Sequence, residues 1–166
     1  YNIEMNQFIQ GQKLENLKKI KLANAWLDPT FAKEITAANI YRKYLPSPEV
    51  NLLRLNVQGD YLGLYVNTEA VDKQFLKKQF DEKDGVLIKC DPIQVFCGNN
   101  TANGNPDLKW LGADSANYYN SYDVKSDYGW GELMELIEKI HFDFENLGEI
   151  LNIDRVLWAF AVNSAI

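Results

Sequence analysis

Residues 52–76, LLRLNVQGDYLGLYVNTEAVDKQFL, constrain this chain more than any other stretch. In the first run Leu53, Leu55 and Val57 alternate with Arg54 and Asn56. In the second, Leu62, Leu64 and Val66 alternate with Tyr61, Gly63 and Tyr65. Gln58-Gly59-Asp60 separates them. Two period-two runs joined through a glycine-containing tight turn specify a β-hairpin. The chain then leaves the strand at Thr68-Glu69-Ala70, and Asp72 stands where its carboxylate can cap a helix running through Lys73, Phe75 and Leu76.

The rest of the chain reads as strands first and helices last. Residues 1–5 and 18–24 alternate weakly and predict two strands. Asp28-Pro29-Thr30 is a helix-start signal, and the helix is expected to run to about Tyr44, where Pro46 and Pro48 end it. After the hairpin a helix is expected over 72–80, a turn over 81–85 and a strand over 86–89. Residues 91–116 are rich in Asn, Gly, Asp and Pro and predict a long loop, with a short strand near 108–111 and another over 118–124. From Gly129 the apolar period becomes helical through Leu133, Met134, Leu136, Ile137 and Ile140. Two further helical segments follow, one over about 143–151 and one starting near Asn152 or Asp154.

At 166 residues this is one domain or part of one, and 46% hydrophobic residues permit a real core. The chain starts at Tyr1 without a Met and stops at Ile166 inside an apolar helical pattern, so an excerpt of a longer protein is expected. No apolar run approaches the roughly 18–20 residues of a membrane span. The net charge of −6 and the lack of a dense basic cluster argue against nucleic acid as a partner. The densest basic stretch, residues 13–21, is interrupted by Glu15 and reads as a solvated edge strand. Cys90 and Cys97 leave two readings open, a bridge in an exported protein or two free thiols. With no CxxC and one histidine they make no recognisable zinc site.

The hairpin block, L-x-V-x-G-x-Y-x-G-L-Y-V-x-x-E-x-V-D-K-x-F-L, resembles the signature of the spore coat protein H (CotH) kinase-like family. Three other pieces agree in order with it: KIKLANAWLDPTF at 19–31, GVLIK at 85–89 and ILNIDRVLWAFAVN at 150–163. The resemblance implies an α+β fold. A mostly antiparallel sheet with one or two helices forms a kinase-like sheet lobe over about 1–125, and the first helices of a helical lobe occupy about 126–166, with the C-terminus of the domain truncated. It also implies transfer of the γ-phosphate of ATP, with Mg²⁺ or another divalent cation, onto Ser or Thr of a partner protein of the spore coat or cell surface. In the family the catalytic and metal-binding acids follow the Ala-Val-Asn helix. The catalytic residues and metal ligands are therefore expected outside this chain, and this stretch alone is expected to be inactive.

Phosphoryl transfer asks the protein mainly for cations at the phosphates and for geometry. Under the resemblance, four residues are candidates for nucleotide contact. Lys89 ends the apolar strand VLI, where the alternative is a snorkelling lysine. Glu69, at the strand-to-helix exit, is placed to pair with a lysine near nucleotide or to stand exposed in a turn. Lys73 matches the family's VDK, against an exposed first-turn lysine. Gly63, in mid-strand, suggests close approach of a backbone or ligand.

Other patterns fail on their spacing. Gly59 and Gly63 make G-x-x-x-G, which is neither the protein-kinase glycine loop nor a P-loop. His141-Phe142-Asp143-Phe144 matches neither kinase motif, since Gly148 stands where the catalytic loop needs Asn and Glu145 where D-F-G needs Gly. A helix junction capped by Asp143 accounts for it. Residues 99–104 fail as a calcium loop because Trp110 falls on the bidentate Glu position. Asn99-Asn100-Thr101 is a formal glycosylation sequon.

Tyr118, Tyr119, Tyr122, Tyr128, Trp130 and Trp110 form a dense aromatic group. Half-buried rings between sheet and helices explain it, while a carbohydrate-binding surface would require exposed, coplanar rings. The rivals to a kinase are thus a non-catalytic binding or coat-structural module, and this sugar-binding surface.

Overall fold

The computed structural model describes residues 1–91 and 104–166. Its α+β fold divides into two compact units, residues 1–79 with 157–166, and residues 80–156. Cys97, residues 99–103 of the calcium-like and sequon stretches, and the question of a Cys90–Cys97 bridge lie outside the described residues.

The first unit is built on an antiparallel sheet ordered β1-β2-β4-β3, from β1 (Asn2–Glu4), β2 (Lys19–Ala23), β3 (Val50–Val57) and β4 (Asp60–Thr68). The lysine-rich β2 is not the solvated edge expected for residues 13–21. It lies between β1 and β4, and its lysines reach solvent from within the sheet, Lys19 pairing with Glu4 at 2.7 Å. A two-residue turn joins β3 to β4, with Gln58 at φ 53° and Gly59 at φ 96°. Two positive φ values match the right-handed twist of the flanking strands, which is why glycine is wanted there.

Pairing of Leu53 with Tyr65 and of Leu52 with Val66 assigns the faces. Leu53, Leu55 and Tyr65 share one face, and Leu52, Leu64 and Val66 the other. The apolar rows of the two strands therefore lie on opposite faces, so both sides of the hairpin carry apolar side chains. Val66 and Leu22, on opposite faces, are both buried, as are Ala38, Phe75 and Val162. Each such large apolar burial is worth roughly 1.5–3 kcal/mol.

Helix α1 (Lys33–Tyr41) starts later than the Asp28 signal predicts. The Asp28 carboxylate is taken up by a loop first, accepting from Thr30 N (3.1 Å), Thr30 Oγ1 (2.6 Å) and Lys33 N (2.8 Å). Phe31 in that loop has φ 56°, which a helix does not admit. The helix closes in tight turns at Lys43 and Tyr44 rather than running on to Tyr44. Helix α2 (Lys73–Phe80) begins as expected, the Asp72 carboxylate accepting from Gln74 N at 2.8 Å and Phe75 N at 3.3 Å.

The second unit holds a two-stranded ribbon, β5 (Ile88–Lys89) with β6 (Asp123–Val124), and helix α3 (Trp130–Phe142). Its core is Tyr118, Tyr122, Leu133 and Ile137, with Ile88, Leu108, Trp110, Trp130 and Met134 packed against it. No strand forms at 108–111, because its backbone bonds go to tyrosine hydroxyls. Leu108 N donates to Tyr122 Oη at 2.8 Å, and Leu111 N to Tyr118 Oη at 2.6 Å. The strand expected over 118–124 shrinks to β6, since a 3₁₀ turn (Ser115–Tyr118) occupies the preceding residues. Residues Phe144–Glu149 are also 3₁₀. Asp143 does not cap them with its side chain as expected. Its carboxylate instead takes Asn146 Nδ2 at 2.8 Å and Lys139 Nζ at 3.3 Å.

Helix α4 (Ile153–Ala165) starts at Asn152, whose side-chain oxygen accepts from Arg155 N at 2.9 Å. From Leu157 onward it belongs to the first unit, where Asn163 accepts from Tyr41 Oη at 2.9 Å and Trp158 stacks on Tyr44 at 5.1 Å between ring centres. Among the described residues, no helix is long and apolar enough to cross a membrane.

Candidate functional site

One residue without a partner sets up the first unit's site. From the turn outward Val57 faces Asp60 and Asn56 faces Tyr61, but Leu55 faces Gly63, leaving Leu62 unpaired in a bulge. Gly63 has φ 127°, a conformation side chains rarely adopt, and the only atom near a Cβ built on it is in the Tyr65 ring at 4.0 Å. A bulge of this kind is the usual reason for a mid-strand glycine. It moves every later pairing by one position. An unbroken ladder from the turn would set Glu49 opposite Thr68, but with the bulge Glu49 faces Glu69, whose N–H donates to Glu49 O at 2.8 Å.

Two carboxylates brought together in this way need a cation, and α2 supplies it. Lys78 Nζ lies 2.6 Å from Glu49 Oε1 and 3.1 Å from Glu69 Oε1. Glu69 Oε2 also accepts from Glu49 N at 3.0 Å, so the Glu69 carboxylate is held through both its oxygens and is only 18% exposed. The bond to Glu49 is the main reason the Lys78 ammonium sits above the ordinary lysine range, and Lys78 in turn holds the Glu49 carboxyl below the usual range. Glu49 and Lys78 remain well exposed, so the pair contributes only about 0–1 kcal/mol to folding.

Of the predicted site residues in this unit, the structure thus places Glu69 against a lysine, and that lysine is Lys78. Lys73 stands exposed in the first turn of α2. Sequence reasoning missed Lys78 and Glu49. A signal for Lys78 existed, because it lies three residues beyond buried Phe75 and so on the inward side of α2. For Glu49 there was none, since its position depends on the bulge.

In the second unit Lys89 ends β5 opposite Asp123, and its ammonium pairs with the neighbouring Asp91. Both partners are well exposed, at 58% and 47%. Asp123 itself pairs with Lys125.

The aromatic group does not present the set of exposed, coplanar rings that a sugar-binding surface requires, although Tyr119 and Tyr128 are exposed. Tyr118 and Tyr122 are 1% and 2% exposed and lie 43° apart, and the Tyr119 and Trp130 rings are tilted at 54°. Burial also pushes the Tyr122 hydroxyl above the ordinary phenol range. The single histidine is likewise structural in its contacts, its Nε2 lying 2.9 Å from Leu108 O.

Lys78 and Lys89, in separate units, are cations near element ends, each already paired with carboxylates. Among the described residues no three His, Cys, Asp or Glu side chains are grouped to hold an ion. Glu49 and Glu69 converge, but on an ammonium.

Compared with known proteins, residues 1–166 match a family model described as CotH kinase protein. No curated protein matches the chain.

Proposed function

The chain belongs to the CotH kinase family, and from that premise we propose that it carries the nucleotide-facing sheet of a protein kinase domain. The reaction proposed is transfer of the ATP γ-phosphate, with Mg²⁺ or another divalent cation, to Ser or Thr of a spore-coat or cell-surface protein. The observation that carries this reading is the Glu69–Lys78 pair at the exit of β4. Kinase-type catalysis depends on a lysine at the phosphates oriented by a glutamate. Here the half-buried Glu69 would orient and Lys78 would contact phosphate. Lys73 is proposed as a further phosphate contact in this unit and Gly63 as a point where ligand approaches main chain; for Lys89, in the other unit, a nucleotide role is proposed from the family resemblance alone. When bound, the divalent cation would neutralise phosphate charge, and its ligands are proposed to lie outside these residues. This stretch alone is proposed to bind nucleotide without transferring phosphate.

One observation favours the rival, a non-catalytic binding or structural module. Lys78 already meets two carboxylates, so a phosphate would have to displace one of them. Titration with a fluorescent ATP analogue and Mg²⁺ separates the readings. Charge-assisted hydrogen bonds are worth about 1.5–3 kcal/mol, so Lys78→Met is expected to weaken binding about tenfold or more. Equal binding by the wild type and Lys78→Met refutes the role given to Lys78, and no binding by either leaves only the scaffold.

A further inference from the structure

Lys78 meets two carboxylates, and the fold does not hold them equally. The Glu69 carboxylate is anchored apart from the lysine, because its Oε2 accepts from Glu49 N at 3.0 Å. The Glu49 carboxylate has no such anchor. Among the described residues it bonds to Lys78 alone, at 2.6 Å, and it is 64% exposed. It is nonetheless the nearer acid, since the Glu69 oxygens lie 3.1 and 3.4 Å from Nζ.

Exchange at Lys78 therefore has one easy direction. Moving Glu69 off the ammonium would also take the acceptor from Glu49 N. Moving Glu49 breaks a single ion pair between well-exposed groups, which costs little. Its main chain need not follow, because Glu49 O stays bonded to Glu69 N and only the side chain has to turn. The place it would leave is positive from two sides. Lys78, through its hydrogen bond and charge, and then Arg42 at the end of α1, through charge alone, lower the Glu49 carboxyl. An ammonium and a guanidinium directed at one oxyanion suit a phosphoryl group as well as a carboxylate.

We propose that the Glu49 carboxylate occupies the seat of a nucleotide phosphoryl group at Lys78, and that nucleotide enters by turning this side chain out while Glu69 stays on the lysine. The proposal rests on the phosphate role given to Lys78 above and adds an internal competitor to it. Glu49 sets the affinity of the site by holding the cation that the ligand needs, and Arg42 is the second cation that the arriving phosphate meets.

A double-mutant cycle tests this, with a fluorescent ATP analogue and Mg²⁺ titrated into the wild type, Glu49→Gln, Lys78→Met and the double variant. Glu49→Gln leaves the main-chain bonds at 49 in place, so its circular dichroism is expected to be unchanged. An exposed pair of this kind shifts an equilibrium by no more than about fivefold, so Glu49→Gln is expected to tighten binding about two- to fivefold. In the Lys78→Met background the same change is expected to do nothing, because there is no cation left to compete for. Weaker binding by Lys78→Met with no gain from Glu49→Gln overturns the proposal and leaves the role of Lys78 standing. An equal gain with and without Lys78 also overturns it, since Glu49 then acts only as a general negative charge. Lys78→Met binding as well as the wild type, or no binding by any of the four, removes the role of Lys78 and this proposal together.

Discussion

The tyrosine hydroxyls that organise residues 108–112 can be tested one atom at a time. Tyr118 is 1% exposed, and its hydroxyl accepts from Leu111 N at 2.6 Å while donating to Gly112 O at 3.1 Å. Tyr118→Phe keeps the ring and its packing but orphans both main-chain groups. Leaving a buried partner unsatisfied costs about 1–3 kcal/mol per group, and Leu111 and Gly112 are near enough to water to recover part of that. A net loss of about 2 kcal/mol is expected. For a chain of this size that corresponds to a fall in Tm of roughly 4–8 °C. Tyr119→Phe is the control: its hydroxyl touches only Ser115 Oγ at 3.3 Å, and its ring is 45% exposed. Thermal unfolding followed by near-ultraviolet circular dichroism reads the difference, and hydrogen exchange at the Leu111 amide locates it. If the two variants melt together and the Leu111 amide keeps its protection, the hydroxyls do not hold this segment.

Two further predictions concern the first unit. Asp72→Ala removes the acceptor for Gln74 N and Phe75 N and should cost about 1 kcal/mol, measured by urea unfolding, while Asp72→Asn should cost much less. The Glu49 carboxyl is depressed by Lys78, so its contribution to stability is complete above the unfolded glutamate pKa and is lost as pH falls through the lower folded value. The raised Lys78 contribution is complete below the unfolded lysine pKa and is lost as pH rises through the higher folded one. Lys78→Met should therefore flatten the acid limb of a urea-midpoint-against-pH curve, and an unchanged limb would contradict the pairing.

What could be read in advance followed the reach of each interaction along the chain. The hairpin, the Asp72 cap and α3 were legible because each is encoded within a few residues: a period of two around Gly59, a carboxylate two residues before Gln74, and a helical period from Leu133 to Ile140. The start of α1 was misplaced because Asp28 reaches Lys33 across a non-helical loop, and capping rules assume a shorter span. Residues 108–111 look like a strand in the sequence because a hydroxyl-to-backbone bond leaves no periodic trace. Glu69 was singled out through family resemblance. Its partners, Glu49 twenty residues upstream and Lys78 nine downstream, are brought to it by the pairing of β3 with β4 and by the phase of α2.

Leu62 has a consequence for how this chain can change length. Because it has no partner across the strand, a shortened chain lacking it would close into an unbroken ladder with Leu55 still opposite Gly63 and Glu49 still opposite Glu69. Loss of Leu64 would be absorbed by the same spare residue, Leu62 then facing Leu55 and Gly63 facing Arg54, with Val66 still opposite Leu52. The hairpin can therefore lose one residue between Tyr61 and Tyr65 without turning the buried end of the strand over.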